Sequence, residues 1–481
     1  MLLLCLGLWL CLLPLSSIEI TSGHEAREGI RLRALLASGD WVFSDVLRKP
    51  PLYYWISGLI AGIRGGVVDA LTLRLPSGLL GLASALLIAH SGWRVATREG
   101  TLWAGFLLLT APLHIQQSHS GRTDMTLSFF VTASLLLFFF IVHRDQRQEQ
   151  RRIGLVYLFS LLLACSFLSK GPVGVILVAA PIVSFLIWRR DGQGFRALLR
   201  PGPLTLFAVL AGGWSVLALW GAGEEFWRTQ VMEENVARFA GGIDRMSPFY
   251  YIGPLLGGFA PWSLLLPFAV WRAIKEREQE PGPFFLTLWW ISTVLFFQLA
   301  AYKRARYLLP TLPPAALLVG WWLSSHLQAA TSRLHPKAWW KLGLMGLSLV
   351  VGLSVLTSAL VLWGTQVTDS LVYRLLEAIP GPEVKEHTQI YYAWITNHLG
   401  LSFLWLGAVA FCLSFFLWFL WSKRYEHALA SLLSALVLLY GGIYPSWLIA
   451  TGDATSPRVY AHRILEKLGT EQGVSFINPY D

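Results

Sequence analysis

The sequence predicts an all-α protein that crosses a membrane many times, and three observations predict it. Of the 481 residues, 55% are hydrophobic. Only 14% are charged, against about 25% in an ordinary soluble domain. The apolar residues fall in runs of bilayer-spanning length, separated by short loops rich in Arg and Lys. One soluble core of this size cannot hide so much apolar surface. Disorder, a collagen-like fibre and a disulfide scaffold are excluded on the same figures.

A crossing helix needs about 20 apolar residues. Candidates lie near 1–19, 74–91, 101–118, 125–142, 153–170, 173–188, 204–220, 249–271, 283–301, 307–325, 341–363, 397–421 and 427–449, about thirteen in all. The first lacks a basic start and a small-residue cleavage site, and is read as a retained anchor. Segment 51–64 is apolar but short and opens on Pro50 and Pro51, so it is expected in the interface or as a re-entrant piece. With the N-terminus in the cytoplasm, the basic loops at 94–98, 144–152, 189–200, 272–277, 333–337 and 423–424 all fall inside, as the positive-inside rule asks. A full crossing at 51–64 would reverse every later loop. The outer side then receives 20–73, 119–124, 221–248, 302–306, 364–396 and 450–481. Residues 1–450 read as one transmembrane domain, with 20–73 as its first periplasmic loop, and 451–481 as a short periplasmic tail.

The cysteines, Cys5, Cys11, Cys165 and Cys412, lie in apolar runs without metal-ligand spacing and read as small buried hydrophobes. The net charge of +10 sits between apolar segments, so nucleic acid is not the expected partner. Two explanations remain: positive charge held inside, and a phosphate-bearing substrate.

The residues that could carry chemistry cluster on the outer loops. In SGHEAREGIRLRALLASGDW (22–41), Ser22 and Glu25 fit a capping box and Gly39 a helix stop. Between them runs an amphipathic surface helix with Arg27 and Arg31 one turn apart. Glu25 serves as a cap or as a reacting group. Lys49, before two prolines, is a phosphate ligand or a snorkelling Lys. Asp124 in GRTDM is an acid at a membrane boundary, or a helix cap or partner of Arg122. Lys170 in SKGP reads as a favourable helix end. Glu234 and Arg238 in EENVARF read as a helical ion pair, with Trp262 of the later APW deeper in the next segment. Lys303, Arg304 and Arg306 in YKRARY lie outside against the positive-inside tendency, so an anionic partner is expected, a phosphate or lipid headgroups. Carboxylates beside cations at the bilayer surface suit transfer from a lipid-phosphate donor, with the cations on the leaving phosphate.

In this order, HEAREGIRLRALLASGDW, RKPPLYYW, RLPSGLLGL, GRTDM, FLSKGP, EENVARF with SPFYY and APW, and YKRARYLLPTLPP resemble the bacterial lipid-linked sugar transferases of the GT-C superfamily. The nearest types are the 4-amino-4-deoxy-L-arabinose lipid A transferases and the protein O-mannosyltransferase-like family. The resemblance covers roughly residues 15–325. It implies a GT-C fold with periplasmic interfacial helices and an outward-facing cavity, in the bacterial inner membrane. It also implies a polyprenyl-phosphate sugar donor, undecaprenyl phosphate above all, a lipid or glycan acceptor, and inversion at the anomeric carbon. By resemblance the catalytic acids fall on His24, Glu25 and Asp124. The lipid-phosphate ligands fall on Arg27, Lys49 and Arg238 with Tyr307, supported by Lys303 and Arg306. Three positions depart from the pattern. His24 stands where the family usually has Asp, Arg48 where Glu is frequent, and Asn235 where His is found. The last two changes remove metal ligands, so a divalent metal is an open cofactor rather than a predicted one. Two rival functions are a lipid-linked oligosaccharide ligase and a lipid-phosphate flippase. The second should show inverted repeats and midplane polar groups, whereas the polar clusters here gather at one surface.

Overall fold

A computed structural model describes residues 2–13, 15, 20, 23–42, 49–143, 149–237, 239, 246–331 and parts of 408–438. Among these the secondary structure is helical throughout. Six helices are long and apolar enough to cross a membrane, or seven if a bent pair counts as one span. The expected spans at 341–363 and most of 397–421 lie outside the described residues, as does the tail 451–481.

The first helices set the stage for the site. Helix α1 (Leu2–Leu12) precedes the amphipathic α2 (Gly23–Ser38). Ser22 lies outside the described residues, but the helix ends as expected: Gly39 takes φ +65° and its N–H donates to Leu35 O at 3.1 Å. Leu32 packs on Ala61, Val68 and Leu73, and Leu35 on Tyr53 and Tyr54. These contacts fix how α2 is rotated about its axis.

Helix α3 (Leu52–Ile63) has 12 residues, about 18 Å at 1.5 Å per residue. It is too short to span, as the paired prolines predicted. A fork from Arg64 onto Asp69, at 2.5 and 2.8 Å, closes the turn to the next helix. Asp69 caps that helix, α4 (Ala70–Ser91), by accepting from the Thr72 N–H at 2.9 Å.

Two expected spans are broken. Segment 101–118 forms α5 (Arg98–Leu109) and α6 (Pro112–Ser118). Pro112 has no N–H to continue the helix, and the residue before it is driven extended; Ala111 sits at φ −77°, ψ 124°. Segment 249–271 turns through 113° between Ile252–Gly258 and Trp262–Lys275, where Gly257, Gly258 and Pro261 interrupt it. Trp262 is fully buried, as expected, and its indole N–H donates to Thr110 Oγ1 at 3.0 Å. Within the stretch 221–248, expected as a loop, the chain is helical through Ala237, broken from the helix before it by a kink at Gly223 (φ +53°, ψ −130°).

The bundle core joins α7 (Thr123–Val142), α8 (Glu149–Lys170), α9 (Pro172–Arg189) and the helix Pro281–Leu299. Phe138, Phe139, Phe185 and Phe285 interlock there with centroids 5.1–6.4 Å apart. In lipid, close packing replaces the hydrophobic drive, and small residues let backbones approach. Gly100 of α5 meets the helix Leu312–Thr331 in this way: a Cβ on Gly100 would lie 2.9 Å from the Gly320 carbonyl oxygen.

The charged ends sort as the loops predicted. Arg189 bonds His143 at 2.9 Å and Thr97 bonds Ser324 at 2.6 Å. Lys170, Asp124 and Arg306 meet at the opposite ends of their helices.

One buried ion pair fastens α2 to this bundle. Arg74 Nε and Nη2 donate to Glu25 Oε1 and Oε2, each at 2.8 Å. Both side chains are 5% exposed. Removing one member of such a pair leaves the other charge buried, at a cost of about 3–5 kcal/mol. Glu25→Gln is therefore expected to destabilise the detergent-solubilised chain by about that amount, with partial recovery in Glu25→Leu/Arg74→Met. Thermal unfolding checks this; a single variant that melts with the native protein would show that the pair does not hold α2.

Candidate active site

One pocket collects charged side chains from several loops and helix ends. Its wall includes His24 and Glu28 from α2, Lys49 and Pro50, Arg122, Asp124 at the start of α7, Lys170 at the end of α8, and Arg306 with Tyr307. Its remaining wall is largely apolar, including Val173, Phe239, Phe296 and Phe297.

Asp124 is the central anion. Lys170 Nζ donates to its Oδ1 at 2.5 Å, and Arg306 Nε lies 3.4 Å from Oδ2. The same Lys170 ammonium lies 4.4 Å from the centre of the Tyr307 ring, and Arg306 lies 5.5 Å from it. A cation over an aromatic face is held by the ring quadrupole. Tyr307 is in turn stacked on Phe297 at 5.5 Å. The acid at the mouth of α7 thus joins three chain segments.

Glu28 is the second anion. Its Oε1 accepts from Lys49 at 2.5 Å and its Oε2 from Arg31 at 3.1 Å and from the Tyr54 hydroxyl. Burial pushes its carboxyl up, and the Lys49 and Arg31 charges more than reverse this, so its pKa falls below the usual carboxylate range.

The other cations raise the local positive potential. Burial and then the charges of Arg122, Arg27, Arg306 and Lys49 lower the His24 pKa to about 4. Burial and the nearby Arg306 push the Arg122 guanidinium down, against the pull of Asp124, Glu25 and Glu28. Basic groups made harder to protonate mark a place that favours an anion. Arg27 Nη2 lies 2.7 Å from His24 Nδ1. Arg can only donate, so Nδ1 accepts and the ring proton sits on Nε2. His24 therefore offers the pocket a neutral N–H donor.

The expected site residues divide. His24, Lys49, Asp124, Arg306 and Tyr307 line the pocket together. Glu25 does not: Arg74 and the Gly121 N–H, at 2.9 Å, hold it beneath the site. Gly121 of GRTDM is required by this approach, since a Cβ there would lie 2.9 Å from Glu25 Oε1. The cap reading of Glu25 gives way to the same bonds. Arg27 is exposed and bonds His24 and the Gly23 carbonyl. Lys303 is buried, with Nζ donating to the Ala300 carbonyl at 2.7 Å, and Arg304 bonds the Tyr302 hydroxyl. Of the three bases in YKRARY, only Arg306 lines the pocket. Arg238 and the side chain of Glu234 lie outside the described residues.

Three charged residues of the pocket, Lys170, Glu28 and Arg122, are not assigned to it by the sequence reading. Lys170 was read as a helix end, although SKGP and GRTDM were both placed on the outer side. Glu28 lies one turn beyond His24 on the same helix face, a spacing that links the two. Arg122 was considered only as a partner of Asp124. Among the described residues, no group of three or more His, Cys, Asp or Glu side chains could share a metal ion. The pocket's carboxylates are matched with ammonium and guanidinium groups rather than clustered as ligands.

Fold and pocket define the class first: a multi-pass helical membrane protein with a charged pocket where its helices meet the polar boundary. Residues 48–220 match the family described as dolichyl-phosphate-mannose-protein mannosyltransferase. The chain is 29% identical over 361 residues to an undecaprenyl phosphate-alpha-4-amino-4-deoxy-L-arabinose arabinosyl transferase of Aeromonas hydrophila, covering 73% of this chain and 64% of that protein. The Pseudomonas aeruginosa protein of the same name is 31% identical over 345 residues, 69% of this chain and 60% of that protein. The matched stretch is thus less than two thirds of these relatives' own length. The crystal structure of ArnT from Cupriavidus metallidurans bound to undecaprenyl phosphate aligns with a TM-score of 0.75 at 22% identity, over 99% of this chain and 82% of that one. That likeness shows the fold. The resemblance expected from the motifs, and the all-α membrane architecture, are both borne out.

The low His24 pKa has a sign that can be tested. A His whose folded pKa lies below its ordinary 6.5 contributes stability that is complete above pH 6.5. That contribution is lost as pH falls towards about 4, because the unfolded chain then takes up the proton first. Thermal melts of the native chain and His24→Gln should keep a constant difference above pH 6.5, with the native chain losing ground below it. A difference that is flat down to pH 4 would contradict the placement of His24 among these cations.

Proposed function

We propose that this chain is a glycosyltransferase that moves a sugar from a polyprenyl-phosphate donor, undecaprenyl phosphate being the carrier, to a lipid or glycan acceptor of the bacterial envelope. The reaction would take place in the inner membrane, in a pocket facing the periplasm. The observation that carries the reading is Asp124 held between Lys170 and Arg306 in a pocket that also presents Lys49 and Arg122 beside an apolar wall. Four cations against two carboxylates leave the pocket with an excess of positive charge, which suits a phosphate. The Phe and Val side chains suit the first carbons of a lipid. The names of the relatives and the undecaprenyl phosphate bound to the Cupriavidus protein support the same donor class.

The chemistry follows from the charges. An acceptor oxygen attacks the anomeric carbon as the bond from that carbon to the phosphate oxygen breaks. The electron pair goes to the phosphate, which gains a second negative charge as it leaves. Arg122 and Arg306 are placed to stabilise charge that develops there, an effect worth most in a site shielded from water, and Lys49, paired with Glu28, holds the charge the donor already carries. Tyr307 and the Nε2–H of His24 supply neutral hydrogen bonds. Asp124 orients the acceptor and receives its proton, with Lys170 fixing its geometry. Glu25, bonded to Arg74, holds α2 in place rather than touching substrate. Lys303 supports the turn that carries Arg306.

Asp124→Asn keeps the shape and removes the charge. It leaves Lys170 and Arg306 without their anion and so lowers stability, and it is expected to lower transfer by at least ~100-fold in the protein that remains folded, the scale for loss of an essential charged group. The measurement follows radiolabelled sugar from a polyprenyl-phosphate donor in proteoliposomes. Label reaching an acceptor supports transfer; label crossing the bilayer without transfer would support a flippase instead. Unchanged transfer in the variant would remove Asp124 from the mechanism.

A further inference from the structure

Glu28 entered the pocket without any assigned role. Lys49 Nζ lies 2.5 Å from its Oε1, with the Glu28 side chain 4% exposed and that of Lys49 24% exposed. Behind it, Arg31 and the Tyr54 hydroxyl occupy Oε2. The other charged or titratable groups facing the pocket are His24, Arg122, Asp124, Lys170, Arg306 and the tyrosines 302 and 307. Asp124 is engaged by Lys170 and Arg306. Glu28 is the carboxylate bonded directly to Lys49.

The two ends of the proposed reaction differ in charge at the phosphate. A sugar donor linked through phosphate to a lipid is a diester with one negative charge. The carrier left after transfer is a monoester, which gains a second charge near pH 6. Lys49 and Arg31 bring two positive charges, and ionised Glu28 cancels one. The remainder matches a diester, and it gains less from the second charge of a monoester than Lys49 and Arg31 would without Glu28. The low pKa of Glu28, with burial outweighed by Lys49 and Arg31, keeps it ionised at neutral pH.

We propose that Glu28 is a specificity-determining residue: its carboxylate tunes the Lys49 subsite to a phosphodiester over a phosphomonoester, so that the spent carrier is released. This rests on the reading of the pocket as a polyprenyl-phosphate sugar site. Glu28 acts through Lys49 as a positioning and charge-setting group, and no bond to the substrate is required of it.

The test compares two lipids, undecaprenyl phosphate and its methyl ester, a diester with one fixed charge. Their affinities for the full chain in detergent are measured at pH 5.5 and 8, for the native protein and for Glu28→Gln. Over this range His24, held to about 4, stays neutral, and the change follows the second ionisation of the monoester. In the native protein the ratio of monoester to diester affinity should stay within about threefold between the two pH values. In Glu28→Gln the monoester should tighten roughly 10-fold relative to the diester at pH 8, and much less at pH 5.5. A variant that strengthens both lipids equally, or neither, overturns the proposal. If Glu28→Gln does not fold, the native ratio decides: a monoester that gains more than about threefold with its second charge overturns it. Failure of both lipids to bind the native protein would overturn the donor reading itself, and this inference with it.

Discussion

The interaction on which the rest depends is the pairing of Asp124 with Lys170 and Arg306. It joins the start of α7, the end of α8 and the turn after the helix Pro281–Leu299, segments far apart in the chain. Each of these charges sits where a bilayer-spanning helix meets the polar boundary, and alone each would be costly there. Together they make a rigid rim. The aromatic rings of Tyr307 and Phe297 and the backbone turn at 303–306 are arranged around that rim.

A second pair, Arg74 with Glu25, does related work one layer below. It ties the amphipathic helix α2 to α4 and, through the Gly121 N–H, to the turn that presents Asp124. The two acids of α2 thus have separate duties. Glu25 is consumed by structure, and Glu28 is left facing Lys49. Glu28 lies one turn beyond His24 on the same face, and it supplies the negative charge beside Lys49.

Much of the architecture was legible because lipid imposes simple rules. Runs such as 125–142 and 173–188 must be helical, since no other local structure satisfies the backbone in hydrocarbon. The basic loops placed the helix ends, and the meeting of His143 with Arg189 and of Asp124 with Lys170 agrees with that placement. The short, proline-led 52–63 helix followed from length alone. Less legible were the breaks before Pro112 and around Gly258–Pro261. There the mean apolar character stays high while a missing N–H or a small residue stops the helix. Hydropathy is blind to that difference.

The sequence by itself determined the helices, their apolar faces, which charged motifs lie at the same ends of the helices, and the family they resemble. Tertiary structure decided which of those charges share the pocket. On α2, residues 25 and 28 differ by about 60° around the axis, so a small rotation exchanges the one that faces the site. Packing of Leu32 and Leu35 against α3 and α4 sets that rotation. For Lys303, Arg304 and Arg306, the turn that curls Lys303 back onto the Ala300 carbonyl leaves Arg306 to reach Asp124. Such choices depend on distances between segments that are remote along the chain, which residue spacing does not encode.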